Sequence, residues 1–346
     1  MKTRFRSALL GTALGDAWSY PYQLPPQSSA TPLPERLQIS DDTQMTLALS
    51  TAMRAIDAEK LDRDAGMREI GRQFLDYYGD PDYDRFPGAS TTESLKRLKE
   101  KGTEQWSEVS THSGGSGAVM RVSASALLAP SQQGVGWSVL QAILTHDSGV
   151  ARASSAVVAC MMMAEKGSDL IEVAGGIAGD KNFDSDVLLT SEEKSGILTD
   201  LDEALIKDLT GPDVPFTELV SRVAEVRDYL TPFLVKDDFE ELYRHARKFM
   251  QIFGRGWDSG SCTASAMLLA QLYLDHRQRY YPHDFLHVAA NWPGNRNTRA
   301  SLTGALIGAH LDNGPERWEE TRTYEFEPRY NHAIHSGSWN GFSRHR

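Results

Sequence analysis

At 346 residues, with 40% hydrophobic and 24% charged side chains, the chain can bury one large core or two smaller ones. A formal net charge of −11, with no basic run longer than three residues, excludes a general nucleic-acid binder and a basic membrane-docking segment. Its longest apolar runs, such as 156–164, are too short to span a bilayer, so a cytoplasmic protein is expected.

Taken in chain order, the sequence opens on a basic stretch, Met1 to Arg6, followed by small apolar residues. The apolar run soon reaches Asp16, so it reads as a helix over 5–17 and not as a cleaved leader. Residues 20–39 hold prolines at 21, 25, 26, 32 and 34, which excludes a helix and predicts a surface loop. Met45, Leu49, Ala52, Met53 and Ile56 then mark one buried helical face. Similar periodicity recurs over 63–78, 91–99, 118–129, 136–145, 150–165, 192–207, 214–230, 237–252, 259–275 and 297–311. Alternating strands with Asn-Gly or Asp-Gly turns are largely missing, so the fold class is all-α.

Two of these helices are studded with glycine, at 11 and 15 and at 304 and 308. Glycine costs about 1 kcal/mol against alanine inside a helix, so its recurrence implies close packing of two central helices. Cys160 and Cys262 lie in apolar helical patterns and read as buried thiols; two cysteines cannot build a four-cysteine zinc site. Beyond Gly314 the chain is polar and aromatic without periodicity. The expected organisation is one helical domain over 1–313 and an irregular tail over 314–346 packed on or near it.

Three segments could carry chemistry. Ser40, Asp41 and Asp42 precede a helix and suit either capping or a hard-cation site built from a hydroxyl and two carboxylates. Gly115, Ser116 and Gly117 lead through Met120 and Arg121 into a helical pattern. A turn of this kind either caps a helix or cradles phosphate or ribose oxygens. Asn295, Asn297 and Thr298 place oxygen donors at the start of the glycine-studded helix 297–311, again either as a capped turn or as ligands. His283 and His287 share i, i+4 spacing but have no third ligand nearby, which argues against zinc.

In this order and spacing the segments resemble the ADP-ribosylglycohydrolase family, of the dinitrogenase-reductase-activating-glycohydrolase type. Gly11 to Ala17 is similar to the family's first helix, Ser40 to Ala48 to its first metal motif, and Gly115 to Arg121 to its ribose-binding turn. Leu144-Thr145-His146, Gly256-Trp257 and Gly294 to Thr298 complete the resemblance, which covers roughly 5–312. It implies a compact orthogonal multi-helix bundle around a cleft, two Mg²⁺ or Mn²⁺ ions, and hydrolysis of the bond between ADP-ribose and an acceptor. It further implies ligand contacts from Gln23, Gly115, Ser116, Gly117, Met120, Arg121 and His146. Metal contacts would come from Ser40, Asp41, Asp42, Asn295, Asn297 and Thr298, with Asp41 and Asp42 catalytic.

The chain departs from the family pattern at Gln23, Asn295 and Asn297, where the pattern has acids. Each charge lost at ~4 Å from a dication forfeits on the order of several kcal/mol of attraction, so at most one weakly held ion is expected. Two functions follow from the resemblance. One is a hydrolase that removes ADP-ribose from a modified protein side chain or other acceptor through a reduced metal centre. The other is an ADP-ribose-binding pseudoenzyme, or an immunity protein against an ADP-ribosyltransferase toxin.

Overall fold

The two glycine-studded segments find each other. The first becomes α1 (Lys2–Ser19), and the second becomes α14 (Arg296–His310), defined below with the other helices. A Cβ added to Gly11 would lie 2.1 Å from the Gly304 carbonyl oxygen, and one added to Gly304 would lie 2.0 Å from that of Gly11. Gly15 faces the Ala300 carbonyl and Gly308 that of Ser7 in the same way. Glycines four apart on each helix thus let the backbones touch, and this pair has the most extensive helix–helix contact among the described residues. The dispersion contacts of such close approach offset the helical cost of glycine.

The computed structural model describes residues 2–20, 35–130, 133–177, 188–203, 205–206, 214–236, 240–320 and 323–342. After α1 come α2 (Asp41–Glu59), α3 (Arg63–Tyr78), α4 (Ala89–Lys101), α5 (Val122–Leu128), α6 (Gly134–Ile143) and α7 (Gly149–Met163). Then follow α8 (Leu170–Gly176), α9 (Ser191–Glu203), α10 (Phe216–Val235), α11 (Glu240–Phe253), α12 (Ser259–His276), α13 (Pro282–Asn291), α14 and α15 (Pro328–Ser336). Extended structure is confined, among the described residues, to a two-stranded antiparallel ribbon of β1 (Leu205–Ile206) and β2 (Val214–Pro215) and two isolated bridges. The architecture is an all-α compact bundle, with α1, α12 and α14 at its centre.

Periodicity located most helices and missed α8, α13 and α15. Helix α13 starts at Pro282, with Asp284 reaching back to the Tyr281 N–H, and carries His283 and His287. Those imidazoles stack on aromatic rings: His283 lies between Trp18 and Tyr281, and His287 packs against Trp18. No group of three metal-binding side chains of the His, Cys, Asp or Glu type occurs among the described residues. Cys160 and Cys262 are both buried.

Among the described residues after Gly314 the chain is partly regular. It forms a 3₁₀ turn (Gly314–Trp318), a bridge between Phe326 and Leu37, and α15. Trp318, Tyr324, Phe326, Tyr330, Trp339 and Phe342 are all buried in the main core. Ring burial, not a helical period, is what recruits this segment. Ion pairs then tie it down: Arg85 to Glu327, and Arg329 to Asp80 and Asp82. Tyr330 adds hydrogen bonds with Gln44 and Asp82, so this segment braces the start of α2.

Candidate active site

Helix α2 begins with three polar residues, and its capping is done from elsewhere. Ser40 holds the N-cap position, but its side chain makes no bond to the helix's own N–H groups. Asp16, near the end of α1, replaces it: its Oδ2 accepts from the Ser40 N–H at 2.8 Å, the Thr43 N–H at 3.2 Å and the Thr43 hydroxyl at 2.6 Å. Its Oδ1 accepts from the Ser40 hydroxyl at 2.6 Å. A carboxylate loaded with four donors caps the helix in trans, which leaves Asp41 and Asp42 free of that duty.

Those two carboxyls are buried, and Oδ1 of each has no hydrogen-bond partner. Asp42 Oδ2 accepts from the Asn297 amide at 2.8 Å and lies 3.5 Å from the hydroxyls of both Ser40 and Thr298. Segments 40–42 and 295–298, more than 250 residues apart, therefore meet. Burial, and then the negative neighbour Asp16, raise the Asp41 carboxyl to about 8. Burial, then Asp41 and Asp16, push Asp42 well above the usual carboxylate range. An unneutralised acid cluster in a low-dielectric site keeps protons, and a cation would displace them.

The 292–298 turn is held by Arg299, a fully buried cation. Its guanidinium donates to the carbonyls of Trp292 (2.8 Å), Arg255 (2.8 Å) and Pro293 (3.2 Å). Gly294 has φ +103°, and a Cβ there would lie 2.1 Å from the Arg255 oxygen, so only glycine lets the 255 and 294 loops touch. Asn295 bonds both loops: its N–H donates to the Arg255 carbonyl and its amide to the Ser116 hydroxyl at 2.7 Å. Arg299→Lys keeps the charge but loses the planar fork that spans three carbonyls. It is expected to lower the melting temperature by several degrees, read by calorimetry.

The 115–117 turn pairs with the segment before α12. Ser116 N–H donates to the Trp257 carbonyl, and Ser259 donates from N–H to Gly114 and from its hydroxyl to Gly115. The glycines answer to His146: a Cβ on Gly117 would lie 2.7 Å from the imidazole Cε1, and one on Gly115 3.2 Å from Nε2. Burial, and then the Arg121 cation, lower His146 to about 3. Its imidazole is therefore expected to stay neutral from about pH 5 to 8, giving no titration shift in histidine NMR.

These segments enclose a cavity of about 610 Å³. Of the residues singled out in the sequence, Asp41, Gly115, Ser116, Gly117, Met120, His146, Asn295, Asn297 and Thr298 line it. Ser40 and Asp42 lie just behind that wall. Arg121 does not reach the cavity: it is wholly buried, bonded to Gln141 and Thr145 and stacked on Phe74. A cation next to a ligand turn reads as a ligand contact in sequence, but here its side chain turns inward. Gln23 lies outside the described residues.

Sequence reasoning gave no ligand role to several further wall residues, two of which, Trp257 and Arg296, lie in motifs it quoted. Arg255 and Arg296 bring two guanidinium groups, and Phe86 and Trp257 bring rings that are 53% and 56% exposed. Phe86 also adopts a left-handed φ of +63°, an uncommon conformation for a bulky side chain. Phe86, a single aromatic in a loop, and Arg255, an isolated arginine between glycines, carry no pattern by which sequence alone could have found them.

The fold has a counterpart. A solved structure described as an ADP-ribosylglycohydrolase-related protein complex matches over 97% of this chain and 95% of its own, at a TM-score of 0.53 and 16% identity, and so shares the fold. Among curated proteins no sequence relative matches the chain. The family model for ADP-ribosylglycohydrolase matches residues 1–333, running well past Gly314, and the chain belongs to that family.

Proposed function

We propose that this chain hydrolyses the glycosidic bond joining ADP-ribose to a protein side chain or another acceptor, with a single divalent cation such as Mg²⁺ or Mn²⁺ at Asp41 and Asp42. The observation that carries this reading is the pair of buried carboxylate oxygens without donors, Oδ1 of Asp41 and of Asp42, beside a cavity of nucleotide-sugar size. Orphaned acceptors of this kind fit a hard cation. Neutral oxygens of Ser40, Thr298, Asn295 and Asn297 complete the set, and two carboxylates suffice for one ion but poorly for two. When bound, the ion would polarise the ribose oxygens and the attacking water.

The chain's own residues divide the remaining work. Asp42, fixed by Asn297, holds its free oxygen in place. Asp41 reaches the cavity and, once the cation has displaced its proton, takes the proton of the water that attacks the sugar carbon and returns it to the departing acceptor. Arg255 and Arg296 place positive charge where a pyrophosphate needs it, and Phe86 and Trp257 offer faces for a base or for the acceptor. Among the described residues no helix is long and apolar enough to cross a membrane.

One observation favours a second reading, binding of ADP-ribose without turnover. The Asn297 amide already donates to Asp42, so the pocket partly satisfies itself without an ion. Calorimetry with Mg²⁺ and ADP-ribose, together with an assay of ADP-ribose release from arginine- and serine-linked substrates, separates the two readings. Turnover dependent on the ion supports hydrolysis; tight binding with none favours the second. Asn297→Asp restores a family acid 2.8 Å from Asp42 and is expected to tighten divalent-ion binding about tenfold or more. An unchanged ion affinity in that variant would place the cation elsewhere.

A further inference from the structure

His146 Nδ1 lies 2.8 Å from the Thr145 hydroxyl oxygen, and the same oxygen lies 2.6 Å from Arg121 Nη2. A guanidinium only donates, so the Thr145 oxygen accepts from it. The hydrogen of that hydroxyl has no other acceptor among the described residues, so it goes to His146 Nδ1. A neutral imidazole that accepts at Nδ1 carries its own hydrogen on Nε2.

The far end of this chain cannot turn round. Arg121 Nε donates to Gln141 Oε1, and Nη2 also donates to the Gln141 carbonyl. The Gln141 amide nitrogen donates to the carbonyls of Ala118 and Ser138, at 2.8 and 2.9 Å, which fixes its oxygen toward Arg121. Every donor from Gln141 to His146 therefore has one direction. At the near end, the Nε2 edge of His146 rests against Gly115 and Gly117 on the cavity wall and has no protein hydrogen-bond partner among the described residues.

We infer that Arg121 and Thr145 are positioning residues that lock His146 in its Nε2–H form, so that this wall offers an N–H donor to an acceptor oxygen of the ligand. The inference rests on the function proposed above only for the ligand's identity, an ADP-ribosyl group. Arg121 thus acts on the ligand through two other side chains.

Histidine-¹⁵N NMR on the full chain tests the tautomer directly, with His146→Gln assigning the resonance. The expected wild-type pattern is Nε2–H, retained in Thr145→Ser and lost in Thr145→Val, with ADP-ribose binding about tenfold weaker in the valine variant only. A wild-type His146 that is Nδ1-protonated or doubly protonated overturns the inference. So does a Thr145→Val protein with unchanged tautomer and affinity. Should Thr145→Val fail to fold, the wild-type pattern together with Thr145→Ser decides. Inorganic pyrophosphate serves as a second ligand: a matching loss assigns the contact to a phosphate oxygen, and a loss for ADP-ribose alone assigns it to a ribose hydroxyl. A wild-type protein with the Nε2–H pattern that ignores ADP-ribose defeats the functional reading and leaves the tautomer lock standing.

Discussion

Asp41→Asn combined with Asp42→Asn is expected to abolish ADP-ribose release, by a thousandfold or more, while making the metal-free protein more stable. The two effects share one cause. Both carboxyls are buried beside Asp16, each with an oxygen that no donor reaches, so in the absence of a cation the fold tolerates them at a cost. Amides keep the shape, keep an oxygen and cannot ionise, which removes the repulsion. In the proposed mechanism they also remove the charge that would hold the ion and the group that would accept the water's proton, and each loss would be worth several kcal/mol at the transition state. Turnover assays and thermal melts in chelator read the two sides separately, with a gain of a few degrees expected in the melts. A double variant that melts lower and still turns over would remove Asp41 and Asp42 from the centre of the mechanism.

Gly304→Ala is expected to be the most damaging single methyl group that can be added to the core. Its Cβ would sit 2.0 Å from the Gly11 carbonyl oxygen, and backbone cannot step aside as a flexible side chain can. The α1–α14 pair must spread, and the buried contacts along it loosen together. A loss of about 3 kcal/mol or more follows, enough to lower the melting temperature markedly. Gly196→Ala is the matched control: it lies within α9, a Cβ there meets nothing within 4 Å, and the helix gains about 1 kcal/mol. Equal melting temperatures for the two variants would show that the close crossing does not support the fold.

The sequence announced this crossing because glycine repeated at helical spacing weakens a helix unless a second backbone lies against it. It announced Asp41, Asp42, Asn295 and Asn297 because runs of small oxygen-bearing side chains before helices stand out from their surroundings. It stayed silent about Asp16, a lone acid at the end of an apolar helix whose four hydrogen bonds come from a segment 24 to 27 residues further on. Trans-capping has no local spacing to detect. Arg121 misled for the opposite reason: its neighbours in sequence line the cavity, but the rotation of one residue about the chain directs it to Gln141 and Thr145. The helix at 328–336 was missed because its segment is recruited by rings scattered through it and not by one apolar stripe.

The pairing of α1 with α14 also orders events during synthesis. The principal surface of α1 is reserved for α14, and the whole intervening chain must be made before the two can dock. At ordinary elongation rates that interval is roughly a quarter of a minute to a minute. Through it, a row of glycines and small apolar side chains stands without its cover, which makes nascent α1 a natural client for holdase chaperones.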